Sequence, residues 1–281
     1  MQSVVIIGAG EIGATTALAL ARLGCAREIR LVGNSGTVAA GKALDILQAG
    51  PVEGCDVRVT GSTDVMDAAT ASAVVIADRE TLDGEWRDDA GLDVVRRVVQ
   101  IAPDAPIVCA GPGQRQVLAL AHRELRVARE RLIGSAPGAL VSAARAMVAV
   151  GAGCAAGDVA LALVGVPGSW ILAWNECTIA GAPITAALPP HVLAQMDRHT
   201  QASWPPGPYA LASAAARCVA AILHNGRRRL TVFAALDGEY DARRVVAAVP
   251  VTLGASGIRS IHPPALSTRE RVTLDTALQR G

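Results

Sequence analysis

Aromatic residues are scarce in this chain of 281 residues, which has four Trp, two Tyr and one Phe. So few aromatic side chains give no platform on which nucleic-acid bases could stack. The 26 basic and 25 acidic residues nearly balance, so the chain has no strong positive field to attract nucleic acid either. No apolar run approaches the length of a membrane span, and no basic region or cleavage site precedes the apolar residues 3–7. We therefore expect a cytoplasmic protein that binds a small molecule, with neither nucleic acid nor a membrane as partner.

Residues with metal-binding chemistry are present but scattered. The six cysteines lie at positions 25, 55, 109, 154, 177 and 218. They form no Cys-x-x-Cys pair, and the five histidines show no ligand spacing to them. We predict reduced, mostly buried thiols and no metal site.

Short apolar runs alternate with helical stretches in the first half of the chain. The runs cover residues 4–7, 29–32, 57–60, 74–77 and 107–110, and the helical stretches cover 12–23, 38–49, 87–101 and 114–129. This alternation predicts an α/β fold, a Rossmann-type doubly wound parallel sheet with helices on both faces. After about residue 136 the rhythm changes, which predicts a smaller α+β domain. We place the two domains at residues 1–136 and 137–281.

A glycine-rich turn follows the first predicted strand and opens the first predicted helix. It reads Gly8-Ala9-Gly10-Glu11-Ile12-Gly13, the G-x-G-x-x-G pattern of dinucleotide-binding proteins in its required context. Gly8 permits a tight turn, Gly10 lets the backbone approach a pyrophosphate, and Gly13 allows close packing of helix on strand. The unpaired N–H groups at the helix start, including those of Glu11 and Ile12, would bind the phosphates.

The end of the second predicted strand lacks the acidic residue that usually binds the adenosine ribose. It reads Gly33-Asn34-Ser35 instead. The missing charge weakens the case for NAD and removes a repulsion toward the 2′-phosphate of NADP, to which Asn34 and Ser35 could donate. The cofactor prediction is therefore NAD or NADP, with a simple polar turn as the alternative use of these three residues.

Four stretches in order along almost the whole chain carry a family resemblance. They are the glycine-rich turn at 8–13; Gly-Lys-Ala-Leu-Asp at 41–45 with Pro-Val-Glu-Gly-Cys-Asp-Val-Arg-Val-Thr-Gly at 51–61; Thr-Ile-Ala-Gly-Ala-Pro-Ile at 178–184; and Gly-Glu-Tyr at 238–240 followed by Val-Pro-Val-Thr-Leu-Gly at 249–254. The chain resembles the malate and lactate dehydrogenases, the malate branch most closely. This resemblance implies a nicotinamide dinucleotide as partner and a homodimer or homotetramer.

The same resemblance exposes departures at the positions of the family's chemistry. Pro167 stands where family members have the His that acts as general base, and a proline side chain cannot accept or donate a proton. Leu140 replaces the Asp that orients that His, Ala143 replaces an Arg that binds the substrate carboxylate, and Gly111 replaces an Asn beside the nicotinamide. The sequence therefore predicts no catalytic residue.

Three residues remain as candidates for the substrate cleft. Arg87 matches the second of two family arginines in the segment after the fourth strand, where acidic residues at 80, 83 and 85 offset the positive field. Trp170 and Trp174 follow the position of the missing His and would make that wall of the cleft apolar. Alternatively, both tryptophans fill a domain or subunit seam, as large aromatic side chains usually do.

Two functions fit these observations. The first is an NAD(P)-binding protein that has lost 2-hydroxy acid dehydrogenase activity and acts as a sensor, a scaffold or a partner of an active paralogue. The second is a diverged NAD(P)-dependent oxidoreductase for an uncharged or apolar carbonyl or alcohol. The second needs an open substrate cavity beside the nicotinamide, whereas the first tolerates a filled one.

Overall fold

The first half of the chain forms a parallel sheet in the computed structural model, which describes residues 2–81 and 84–280. Its strands are β1 (Ser3–Ile7), β2 (Glu28–Val32), β3 (Arg58–Ser62), β4 (Ala73–Ile76), β5 (Ile107–Cys109) and β6 (Leu132–Gly134). Its helices are α1 (Glu11–Leu23), α2 (Gly36–Glu53), α3 (Asp88–Ile101) and α4 (Arg115–Glu124). Every residue of β1 and β4 is buried, because helices cover both faces of such a sheet.

The six strands lie in the order β3-β2-β1-β4-β5-β6 and are mutually parallel. The predicted doubly wound fold is therefore confirmed. The strand order reverses between β1 and β4, and the loops leaving the carboxyl ends of these two strands diverge and open a crevice. The loop after β1 carries the glycine-rich turn, and the loop after β4 begins with Ala77 and Asp78. Open α/β sheets bind their ligands at this point.

The second half of the chain extends the same sheet. Its strands are β7 (Val159–Ala160), β8 (Leu163–Val166), β9 (Ser169–Leu172), β10 (Thr178–Ile179), β11 (Ala182–Pro183), β12 (Arg229–Asp237), β13 (Arg243–Gly254) and β14 (Gly257–Ile261). Its helices are α5 (Ala136–Ala152), α6 (Ile184–Ala187), α7 (Pro190–Ala202), α8 (Pro208–Leu223) and α9 (Thr268–Arg280). Strand β12 pairs antiparallel with β6, and β13, β8 and β9 follow it, while β7, β10 and β11 form a small separate sheet.

One large apolar core runs through both halves of the molecule, and a smaller cluster lies between α5 and α7. The predicted change of rhythm near residue 136 coincides with the start of α5, after which the sheet becomes antiparallel. The boundary between residues 136 and 137 stays a prediction. Within the described residues, every helix is too short or too polar to form a membrane span.

Candidate dinucleotide site

The glycine-rich turn has the backbone geometry that the sequence predicts. Gly8 ends β1 with a φ of +109°, a conformation that favours glycine. Gly10 is the N-cap of α1, and its amide donates to the carbonyl oxygen of Asp78 at 2.9 Å. A Cβ on Gly13 would collide with the carbonyl oxygen of Gly8, so only glycine allows α1 to approach β1 this closely. These requirements hold for the chain itself, with or without a ligand.

The N–H groups at the start of α1 already have an acceptor from the protein. The Asp78 carboxylate receives hydrogen bonds through Oδ2 from the amides of Glu11 at 2.8 Å and Ile12 at 3.2 Å. Its Oδ1 receives a third from the amide of Gly13 at 2.9 Å. A carboxylate is favourable at this place because the helix dipole and the unpaired N–H groups attract negative charge. The sequence analysis predicted these amides as phosphate ligands and did not foresee Asp78.

Lys42, in the Gly-Lys-Ala-Leu-Asp stretch, reaches the glycine-rich turn from α2. Its Nζ donates to the carbonyl oxygens of Ala9 at 2.5 Å and Gly10 at 3.2 Å. The ammonium group thus lies beside the turn and ties α2 to it. Sequence reasoning used this stretch for the family resemblance and missed the lysine as a site residue. Lys42 lies 32 residues after Gly10, beyond α1 and β2, so no local pattern in the sequence links it to the turn.

The turn at the end of β2 contacts a second acidic side chain. Glu80 lies against Gly33, where a Cβ would collide with its Oε1, and its Oε2 accepts from the Asn34 amide at 3.3 Å. Ser35 is the N-cap of α2, and its Oγ accepts from the Val38 amide at 3.4 Å. The place where the sequence lacks an acidic residue therefore has one, contributed by another part of the chain.

A third acidic side chain lies at the far end of the same groove. Glu85 Oε1 accepts from the Gly113 amide at 2.5 Å, and a Cβ on Gly111 would collide with this carboxylate. Arg87 Nε donates to Glu85 Oε2 at 2.8 Å, so the arginine predicted for the substrate cleft is ion-paired with this carboxylate. We name residues 78–81 and 84–87 the acidic segment; Leu82 and Asp83 lie outside the described residues.

The two candidate tryptophans lie away from this groove. Trp170 is 4% exposed and packs against Trp204 and Phe233, with ring centroids 4.8 Å and 6.1 Å away. Trp174 is half-buried, and its Nε1 donates to Asp197 Oδ1 at 3.1 Å. This placement favours the packing interpretation of Trp170 over a role in a substrate cleft.

The structure describes the three positions at which the family resemblance predicts a lost catalytic or substrate-binding residue, namely 140, 143 and 167. Pro167 and Gly168 form an exposed two-residue turn between β8 and β9, in which Val166 pairs with Ser169. Leu140 lies on α5 and is fully buried in the main core. Ala143 is half-buried one turn further along α5. Among the described residues, no group of three or more His, Cys, Asp or Glu side chains could hold a metal ion.

Comparison with known proteins gives the same family over the whole chain. Residues 2–110 match the lactate/malate dehydrogenase NAD binding domain, and residues 207–280 match the alpha/beta C-terminal domain of the same family. The malate dehydrogenase of Thioalkalivibrio sulfidiphilus is 32% identical over 99% of this chain and 96% of its own length. That of Desulforudis audaxviator is 30% identical over 99% and 95%. The chain belongs to the lactate/malate dehydrogenase family.

The family's solved structures agree with this assignment. The structure of malate dehydrogenase from Salinibacter ruber superposes on this chain with a TM-score of 0.91 at 26% identity, covering 99% of this chain and 95% of that one. The match of residues 2–110 to an NAD-binding domain indicates NAD, one of the two cofactors that the sequence predicts. The family resemblance stated from the sequence is thereby confirmed.

The described conformation does not fit a bound dinucleotide, although the backbone of the turn does. The amides of Glu11, Ile12 and Gly13 would have to leave the Asp78 carboxylate before they could bind a phosphate. The space beside Gly33 contains Glu80. NAD therefore requires a rearrangement of the acidic segment.

Proposed function

We propose that this protein is an NAD-binding member of the lactate/malate dehydrogenase family that no longer performs the family's oxidation of 2-hydroxy acids. It acts instead as a sensor, a scaffold or a partner of an active paralogue. The observation that carries the proposal is Pro167 in the exposed turn between β8 and β9, where the family resemblance places the general base. A group that cannot exchange a proton there lowers the rate by about 10²- to 10⁴-fold.

Two positions on α5 support the same conclusion. Leu140 and Ala143 present only hydrocarbon from α5, where the family resemblance places an Asp and an Arg. A substrate site that lacks this bidentate arginine also lacks a strong, directional contact to a substrate carboxylate. The relatives are named malate dehydrogenases, and under this proposal the chain differs from them in lacking that activity.

The second function, reduction of an uncharged or apolar carbonyl, requires open space beside the nicotinamide. Glu85 fills the space beside Gly111, where the resemblance places an Asn next to the nicotinamide, and this carboxylate is only 12% exposed. A buried acidic group is a poor neighbour for an apolar substrate. These contacts favour the first function.

Turnover with NADH tests the proposal directly. The purified protein is titrated with NADH by calorimetry and then assayed for NADH oxidation with oxaloacetate and with pyruvate, at NADH concentrations above the measured Kd. We expect binding without turnover above the enzyme-free rate. The Thioalkalivibrio sulfidiphilus malate dehydrogenase, prepared in parallel, is the positive control. Oxidation of NADH at a rate comparable to that control would refute the proposal.

We also infer that the protein forms a homodimer or homotetramer, as the family resemblance implies. Helix α2 supports this inference because its exposed side includes Leu44, Leu47 and Val52, which are 54%, 44% and 88% exposed. Exposed apolar side chains on one helix are typical of a contact surface. Light scattering at several protein concentrations measures the mass, and a monomer at all concentrations would contradict the inference.

A further inference from the structure

We propose that the acidic segment is an intramolecular competitor of the dinucleotide. It closes the groove with three carboxylates, and NAD binds only when these leave. The inference rests on the proposed NAD binding and adds the mechanism that limits it. The groups involved are Asp78, Glu80 and Glu85, all contributed by the loop that follows β4.

The strongest contact of the three is at the start of α1. Asp78 engages three successive amides there, and hydrogen bonds with a charged acceptor are about twice as strong as neutral ones. A phosphate needs the same amides, and a second negative group cannot share them with the carboxylate. Occupation by Asp78 and by a dinucleotide phosphate is therefore mutually exclusive.

The other two carboxylates fill positions where the sequence departs from the family pattern. Gly33 stands near the place of a missing acidic residue, and Glu80 lies against it. Gly111 stands at the place of a missing Asn, and Glu85 lies against it. In both cases a side chain on the glycine would collide with the carboxylate. The glycines and the acidic segment thus fit each other along the length of the groove.

The segment has internal contacts that hold the three carboxylates in position. Asp78 and Glu85 face each other in an antiparallel bridge, and the Arg79 amide donates to the Gly84 carbonyl oxygen at 2.6 Å. The Arg79 guanidinium lies 4.9 Å from the ring centroid of Trp86.

One oxygen of the segment is unsatisfied, since Glu80 Oε1 is buried without a hydrogen-bond partner among the described residues. An unsatisfied carboxylate oxygen costs free energy, which makes displacement of the segment easier.

Removing Asp78 should raise the affinity for NADH. If only a fraction of molecules has the segment displaced, the measured Kd exceeds the intrinsic Kd by the inverse of that fraction. We expect Asp78→Ala to bind NADH about tenfold more tightly or better, and Asp78→Asn to give a smaller gain because its amide oxygen still accepts one N–H. Glu80→Gln should also bind more tightly. The matched control is Asp56→Asn, which removes an exposed carboxylate before β3, at the opposite end of the sheet.

Calorimetry with NADH gives the affinities of the wild type and the four variants, and circular dichroism verifies the fold of each variant. An unchanged or lower affinity in folded Asp78→Ala, or no binding by either this variant or the wild type, would overturn the inference. So would weaker binding by Glu80→Gln, because Glu80 would then be a ligand of the dinucleotide. If Asp56→Asn gained as much affinity for NADH as Asp78→Ala, the gain would come from the change in net charge alone, and the inference would be overturned as well.

Hydrogen exchange of the wild-type protein provides a test that needs no variant. We expect added NADH to accelerate exchange at the Gly113 amide, because it loses its acceptor, Glu85 Oε1, when the segment leaves the groove. Slower exchange there would contradict the inference, since the segment would then close over the bound dinucleotide instead of competing with it. Neither test depends on turnover, so NADH oxidation by the wild type would refute the proposed function and leave this inference standing.

Discussion

The Asp78 carboxylate accepts a hydrogen bond from the Gly13 amide at 2.9 Å and thereby joins the loop after β4 to the first turn of α1. A carboxylate in this position acts as the N-cap side chain that α1 lacks, because Gly10 has none to offer. The glycine-rich turn of this protein is consequently stabilised by the chain's own residues.

Asp78→Ala should lower the free energy of unfolding in the absence of NADH by about 1–2 kcal/mol, the usual effect of losing a capping side chain. The same variant should regain stability when NADH is added, because ligand that binds only the folded state stabilises it. Urea titrations with and without NADH measure both effects. Asp56→Asn is the control. If it lost as much stability as Asp78→Ala, the explanation by capping would be contradicted.

Gly13→Ala should lower the free energy of unfolding by about 1–3 kcal/mol, as forced overpacking does, since its methyl group would collide with the Gly8 carbonyl. Gly41→Ala is a matched exchange in α2, where nothing lies within 4 Å of the new Cβ. That variant should gain up to about 1 kcal/mol from the better helix propensity of alanine. Thermal or urea unfolding compares the two, and equal effects would refute the steric argument.

The ion pair between Arg129 and Glu239 should give a measurable pH dependence of stability. Arg129 Nη1 donates to both carboxylate oxygens at 3.0 Å. Burial by itself would raise the pKa of Glu239, but the Asp237 amide and the Arg129 guanidinium together hold it below its usual value. The stabilisation is therefore complete above the pKa of an unfolded glutamate, about 4.3, and is lost as the pH falls through the lower folded value.

Glu239→Gln tests this ion pair. At neutral pH it should lower the free energy of unfolding by about 1 kcal/mol, since the pair is partly exposed, and the difference from wild type should shrink below about pH 4. Glu124→Gln removes a carboxylate from an exposed pair with Arg123 and serves as the control. Its effect should stay below about 0.5 kcal/mol at every pH. A pH-independent difference for Glu239→Gln would contradict the assigned role.

The six thiols should differ in reactivity toward a disulfide reagent at pH 8. Burial raises the pKa of Cys109 and Cys218 to about 12, so neither forms a thiolate in the folded protein. Cys55 and Cys154 are partly exposed. We expect two thiols to react in the native protein and six after unfolding, and the double variant Cys55→Ser/Cys154→Ser to be unreactive until it unfolds. Fast native reaction of that variant would refute the burial of the others.

Leu140→Asp introduces the carboxylate that the family resemblance implies for position 140, which is fully buried in this chain. Burial of a charge without a partner raises the pKa of such a group, so the variant should lose stability as the pH rises above about 4, the value in the unfolded chain. Leu140→Asn has the same shape without a charge and should be destabilised equally at all pH values. Urea unfolding between pH 3 and 8, values that bracket the usual carboxylate range, compares them. If the difference in unfolding free energy between the two variants were the same at every pH, position 140 would be hydrated and the prediction would be wrong.

The sequence predicted correctly those features that depend on a few neighbouring residues, such as helix caps and tight turns. Ser267 and Glu270, three residues apart, predict a capping box at the start of the last helix, and the structure confirms it: Ser267 Oγ accepts from the Glu270 amide at 3.4 Å and Glu270 Oε2 accepts from the Ser267 amide at 2.7 Å. The glycine-rich turn also has the predicted geometry. By contrast, the helix predicted over residues 114–129 ends at Glu124, because Arg126 adopts a φ of +53° and the chain turns toward β6.

Long-range pairing explains the other differences. The apolar residues 249–253 predict a short strand, but in the structure they are the end of the longer strand β13, which begins at Arg243 because it pairs with β12 along most of its length. The apolar pattern of residues 243–248 includes two arginines and gives no strong strand signal by itself. Pairing with a neighbouring strand satisfies the backbone there and decides the conformation.

The sequence by itself determined the family and the doubly wound sheet and predicted where the dinucleotide binds, because these depend on periodicity, on glycine positions and on motifs that are contiguous in the chain. The tertiary structure alone decided what occupies the groove. Each of the three carboxylates is far in sequence from the glycine that it contacts, and no motif links the two. The pairs are Asp78 with Gly10, Glu80 with Gly33, and Glu85 with Gly111. They meet because β1, β2, β4 and β5 are neighbouring parallel strands, so that the loops after their carboxyl ends lie at one edge of the sheet.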